Sequence, residues 1–134
     1  MFQRMRTKGI FIAIALVGFV ASALADGGGY MKADEVTALM SGNSISGMFG
    51  DNKAYRQRNH SNGIAVVAVK GDPVRLIPWF VDEKARYCED WSEWGVFCFK
   101  FKRTDKPDTI ISERENGKQM NLTWREGYID INHK

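Results

Sequence analysis

The chain has 134 residues, 26% charged and 44% hydrophobic, with a formal net charge of +3. A chain of this length supports one domain around one core and leaves little room for a second. Three of its 19 basic residues, Arg4, Arg6 and Lys8, stand at the extreme N-terminus where there is no acid, and the other 16 are balanced by 16 Asp and Glu. The body of the chain therefore offers no basic surface to recommend nucleic acid as a partner.

Residues 1–25 read as a secretory signal peptide. The basic start leads into an apolar run over 10–20, and Ala23-Leu24-Ala25 supplies the small-x-small site that a signal peptidase cuts. Residues 10–25 fall short of the roughly 20 apolar residues needed to span a bilayer. No cysteine follows the run for lipid attachment. The expectation is cleavage after Ala25, release into the periplasm or the exterior, and no stable membrane anchor afterwards. Residues 26–32 are then a flexible lead-in, and 33–134 a single β-rich domain.

The first predicted element is a short helix. Val36, Leu39 and Met40 fall at i, i+3 and i+4, Asp34 and Glu35 occupy its first turn, and Gly42 stands just past its end. A helix this short must dock on something larger. Beyond Gly42 the helical period gives way to segments at 44–48, 54–59, 64–69, 74–81, 85–89, 96–102, 109–114, 120–125 and 128–131. Turn residues such as Ser61-Asn62-Gly63, Lys70-Gly71-Asp72-Pro73 and Asn116-Gly117 separate them. Phe97, Phe99 and Phe101 alternate with Cys98, Lys100 and Lys102, and Met120, Leu122 and Trp124 alternate with Asn121, Thr123 and Arg125. Such patterns belong to antiparallel strands with one core face and one wet face. The run 64–69 is apolar throughout, so it is expected to be covered on both faces, with the helix around Leu39 as the outer cover. The predicted fold is mainly β, an antiparallel sheet curled into a small barrel or half-barrel, with one short N-terminal helix.

The chain carries two cysteines, Cys88 and Cys98. Behind a signal peptide the compartment is oxidising and an even count reads as a disulfide. With only His60 and His133 beside them, they do not make a zinc pattern, and no metal or cofactor is expected. If the two cysteines face one another in an antiparallel pair, Tyr87 meets Phe99 and Ala85 meets Phe101 on the core face. Arg86 would then oppose Lys100, a like-charge pair that favours a bulge or a longer route. The tip of this hairpin holds Trp91 and Trp94 among Glu89, Asp90 and Glu93. Trp91 is expected to fold back onto the disulfide, while Trp94 either caps the sheet or serves as a recognition anchor. The three acids are a weak calcium pattern, because no 12-residue ligand loop is present.

At this point the chain resembles a family. The stretch Leu39-Met40-Ser41-Gly42-Asn43-Ser44-Ile45-Ser46-Gly47, then Trp79, Tyr87-Cys88-Glu89-Asp90-Trp91 and Cys98-Phe99, is similar to a family of small exported proteobacterial β-rich domains of unknown function. The likeness runs over about Ala33 to Tyr128, although Ile77-Pro78 precedes Trp79 where that family carries a glycine. The resemblance implies export, a β-rich fold and a disulfide, and it brings no catalytic residues.

Catalytic chemistry has little to stand on. His60, in Asn59-His60-Ser61-Asn62-Gly63, would be the general base of a hydrolase with Ser61 or another hydroxyl as nucleophile. Adjacent turn residues rarely face one another in that way, and the Gly-x-Ser-x-Gly elbow is absent. Arg56 and Arg58 read as a solvent-facing strand edge. The expected function is therefore non-catalytic binding of a small apolar or amphipathic molecule, with Trp79, Phe97, Phe99 and Trp124 on the concave face. The alternative is a protein-interaction module, an inhibitor or envelope accessory factor, acting through the tip formed by Trp91 and Trp94. A hydrolase built on His60 stands third.

Overall fold

The structure, a computed structural model, describes residues 29–50 and 52–133. The signal peptide expected at 1–25 lies outside them. Eight strands follow in chain order: β1 (Asn43–Phe49), β2 (Lys53–Asn59), β3 (Ile64–Val69), β4 (Arg75–Val81), β5 (Tyr87–Asp90), β6 (Val96–Arg103), β7 (Thr109–Arg114) and β8 (Gln119–Arg125). Each pairs antiparallel with the next. Ser44↔Arg125, Ile45↔Trp124 and Ser46↔Thr123 then join β1 to β8, so the barrel is closed. Of the two expected forms, barrel and half-barrel, closure is the one that leaves no strand edge unpaired.

Alternation sorts the side chains. On β2, Tyr55, Gln57 and Asn59 turn inward and are buried, while Arg56 and Arg58 face out. The centre of the barrel is filled by Val67, Ile77, Trp79, Tyr87, Phe101 and Leu122, as an eight-stranded barrel allows. Within this apolar packing sits a small polar knot. The Tyr87 hydroxyl accepts from Gln57 Nε2 at 2.8 Å and from Asn59 Nδ2 at 2.7 Å, and Gln57 Nε2 also reaches Asn59 Oδ1 at 3.0 Å. Tyr87→Phe removes the acceptor and leaves the buried Asn59 amide without it. The variant should lose about 1–3 kcal/mol in denaturant unfolding, and a loss near zero would mean that water or a shifted neighbour replaces the hydroxyl.

One end of the barrel is plugged. Before helix α1 (Ala33–Met40), the Met31 N–H donates to Phe101 O on β6 at 2.8 Å. In its last turn, Leu39 O accepts from Asn43 Nδ2 on β1 at 2.8 Å and from Trp124 Nε1 on β8 at 2.9 Å. The segment thus crosses the barrel end from one wall to the other, with Val36 and Met40 buried beneath it. Gly42, at φ +77°, provides the left-handed residue that turns the chain from helix into β1.

Three local expectations need correction. Residues 128–131 form no strand. The C-terminal segment instead lies along the outside of β1, β2 and β3 and is held by side chains, so its backbone groups have no ladder to join. Ser44 Oγ donates to Gly127 O at 2.7 Å and accepts from Ile129 N at 3.0 Å, Arg58 Nε donates to Ile129 O at 2.7 Å, and Arg56 Nη1 donates to Asn132 O at 2.7 Å. This segment, with His133 Nε2 at 2.8 Å from Ala68 O, covers the outer face of β3; the helix does not, because it occupies the barrel end. Third, β5 begins at Tyr87 and not at Ala85. The Asp82 carboxylate accepts the Lys84 and Arg86 N–H groups at 3.0 and 2.8 Å and pairs with the Arg86 guanidinium at 2.8 Å. Ala85, at φ +60°, is held in that turn, so the unfavourable opposition of Arg86 and Lys100 never arises.

Candidate functional site: the open mouth of the barrel

Among the described residues, no α-helix crosses the end opposite α1. It is rimmed by the turns after β1, β3, β5 and β7, and the turn after β5 carries a single 3-10 turn, Ser92–Trp94. Here the predicted hairpin register holds: Tyr87↔Phe99, Cys88↔Cys98 and Glu89↔Phe97, with Cys88 and Cys98 joined in a disulfide on the outer face. Because the cysteines point outward, their neighbours Tyr87 and Glu89 point inward. Glu89 thereby becomes the one carboxylate placed inside the barrel, 8% exposed, among the described residues.

Above the packed centre lies a cavity of about 60 Å³, walled by Ile45, Phe49, Tyr55, Glu89, Phe99 and Leu122. That is room for about four waters. It underlies a wider groove of about 380 Å³ that adds Arg75, Trp91, Trp94 and Phe97. Phe49, Glu89, Phe99 and Arg114 line both, so the cavity is the floor of the groove. Gly47 makes the floor possible, since a Cβ there would lie 3.0 Å from Tyr55 Cε1 and 3.1 Å from Leu122 Cδ2.

The electrostatics of the floor centre on Glu89. Its Oε2 is buried and has no hydrogen-bond partner among the described residues. Burial pushes its carboxyl up to about 7, and hydrogen bonding from the Trp91 and Gln57 side chains offsets only part of that effect. Tyr55 and Tyr87 are raised above the ordinary phenol range by their own burial and then by the nearby Glu89 charge. On the rim, Lys53 lies 3.8 Å from Asp72 and the Arg75 guanidinium stacks 4.3 Å from the Trp94 ring centre. Arg114 and Lys118 make no ion pair among the described residues.

The aromatic residues singled out from sequence divide between the two ends. Trp91, Trp94, Phe97 and Phe99 gather at the mouth. Trp79 is packed in the core, 5.8 Å from Tyr87, with Nε1 donating to His60 O, and Trp124 donates to the helix end. Trp91 does not fold onto the disulfide. Its ring meets Phe49 edge-on at 6.0 Å and Trp94 at 6.0 Å, because the sulfurs face outward while Trp91 leans over the mouth. Trp94 is 53% exposed and Phe97 41%. The three acids of the tip are also split, since Glu89 faces inward while Asp90 caps the Ser92 N–H at 2.9 Å. His60 lies 4.6 Å from the Tyr128 ring, at the plugged end. The only cluster of metal-type donors among the described residues, Asp82 with Cys88 and Cys98, has both sulfurs committed to the disulfide.

The geometry defines a closed eight-stranded barrel, plugged at one end and open at the other over a buried acid. No protein-family model, curated protein or solved structure matches the chain.

Proposed function

We propose that this is an exported, non-catalytic binding protein that holds a small amphipathic molecule in the barrel mouth. The observation that carries the reading is the aromatic groove adjoining an inner cavity, the two sharing Phe49, Phe99, Arg114 and the buried Glu89, whose Oε2 has no hydrogen-bond partner among the described residues. Binding sites for small molecules combine apolar walls with a few directed polar groups, and the groove is of the usual size. The filled centre limits the ligand to the mouth, so it meets Phe99 and the hairpin tip, and not Trp79 or Trp124. Export is supported by the signal-peptide pattern at 1–25 and by the disulfide, which suits an oxidising compartment.

The exposed Trp94, Val96 and Phe97 favour a second reading, in which the tip docks a protein. Native mass spectrometry of protein purified from an oxidising compartment separates the two. One small molecule retained per chain supports the carrier. A bare chain, together with a protein partner whose capture depends on Trp94, overturns it. On the carrier reading, ligand quenches tryptophan fluorescence. Trp94→Ala should then weaken binding by on the order of 1 kcal/mol, roughly fivefold, with little change in melting temperature because the ring is half-exposed.

A further inference from the structure

We infer that the ligand carries a protonated amine, and that its ammonium group seats against the buried Glu89 carboxylate at the floor of the mouth. This rests on the reading of the mouth as the ligand site. Glu89 is 8% exposed and lines the cavity, and its buried Oε2 has no hydrogen-bond partner among the described residues. A buried polar atom left in this state is unusual, and an acid with an open lone pair asks for a donor. The surrounding walls are aromatic: Phe49, Tyr55, Tyr87, Phe99 and Phe101 line the inner cavity, and Trp91 and Trp94 stand above it. Ring faces attract cations and exclude water, so a carboxylate among them selects an ammonium over a neutral donor of the same size.

The remaining charges do not compete for that position. Lys53 is beside Asp72, and Arg75 lies over Trp94 at the groove's edge. Arg114 and Lys118 reach the cavity from the β7–β8 hairpin, but both are exposed to solvent, where their repulsion of a cation is screened. On the buried side the titratable groups near Glu89 are Tyr55 and Tyr87, both of which stay neutral, and the neighbouring Gln57 side chain carries no charge. No covalent bond to the ligand forms. A Glu89 that is protonated before binding releases its proton to solvent as the ammonium takes its place, so affinity rises with pH while the amine stays charged. Burial gives that rise its position, near neutral pH.

Titration calorimetry with benzylamine, benzyl alcohol and benzoate tests the inference, using the full mature chain and its Glu89→Gln variant. All three probes fit the apolar mouth and differ only in the head group. At about pH 8.5 the wild type should bind benzylamine about tenfold more tightly than benzyl alcohol, and benzoate least. The preference should shrink towards about pH 5.5, where Glu89 is protonated, and vanish in Glu89→Gln while benzyl alcohol still binds. Equal affinity for amine and alcohol in the wild type would leave the mouth as a ligand site but overturn the ammonium inference. So would an amine preference that survives in Glu89→Gln. Binding of none of the three would overturn both readings. A melting curve for the variant confirms that it is folded.

Discussion

Glu89→Gln should melt at a higher temperature than the wild type at pH 8 and at nearly the same temperature near pH 4. In the unfolded chain the Glu89 carboxyl titrates at its ordinary value of 4.5, and in the folded barrel burial raises it to about 7. Below the lower value both states carry the proton and the group costs nothing. As pH climbs between the two values, the unfolded chain ionises and gains hydration while the folded protein cannot follow. Stability therefore falls across this window, and the full cost is in place above pH 7. The shift corresponds to a cost of about 3 kcal/mol, which sets the upper limit of the gain from glutamine. Part of the gain is lost because the new amide brings donors of its own into the cavity. Thermal unfolding at a series of pH values measures the effect. A gain equal at pH 4 and pH 8, or no gain at either, would show that the carboxyl is not held in the low-dielectric position described. On the proposed binding reading this cost is expected, since a buried acid with one oxygen unpartnered does not serve a stable fold but can serve a binding site.

Much of this fold was readable because the strands obey period two and the turns are punctuated by Gly, Asn, Asp and Pro. Seven of the eight strands start within about a residue of where alternation places them. The exception is β5, where the Asp82 to Arg86 turn, built on side-chain hydrogen bonds to the backbone, takes Ala85 and Arg86 out of the strand. Alternation has no signal for that. Nor could it reveal that the chain after Gly127 runs along the barrel wall without pairing, since Arg56 and Arg58 look like an ordinary wet face until their carbonyl partners are known. Whether the sheet closes depends on the contact of Ser44 to Ser46 with Thr123 to Arg125, far apart in sequence and carrying no local pattern. The site was half legible. Trp91, Trp94, Phe97 and Phe99 stand out as aromatic residues near a disulfide, and they do meet at the mouth. Glu89 was missed as an interior residue because acids beside a turn read as solvated. The signal was available: the cysteine pairing that places Tyr87 opposite Phe99 also places Glu89 opposite Phe97, on the core face.

Removing the disulfide should have an effect of the same order, and on the site as well as on stability. Cys88 and Cys98 are separated by 10 positions and close the hairpin whose tip forms one wall of the mouth. Cross-linking a loop of this size restricts the unfolded chain by about 3 kcal/mol in the loop-entropy account, whose division between entropy and enthalpy is disputed. The strand it secures is the shortest in the barrel. β5 has four residues, and its partners are Trp79–Val81 on one side and Val96–Phe99 on the other. With so few ladder bonds, β5 depends on the covalent link more than the longer strands do. The Cys88→Ala/Cys98→Ala double variant should therefore melt more than about 10 °C lower than the oxidised protein. Full reduction of the wild type should come close to the same value. If reduction exposes two titratable thiols and the melting temperature does not move, the link is not what holds β5 in the wall. The loss at the site should exceed the loss in the barrel as a whole. Glu89 and Trp91 follow Cys88 directly, so amide exchange in residues 89–95 should accelerate more than in β2 or β3, at temperatures well below melting. Ligand added to the reduced protein should slow that exchange again, because the aromatic wall and the buried acid are then tied together through the ligand in place of the sulfur bridge.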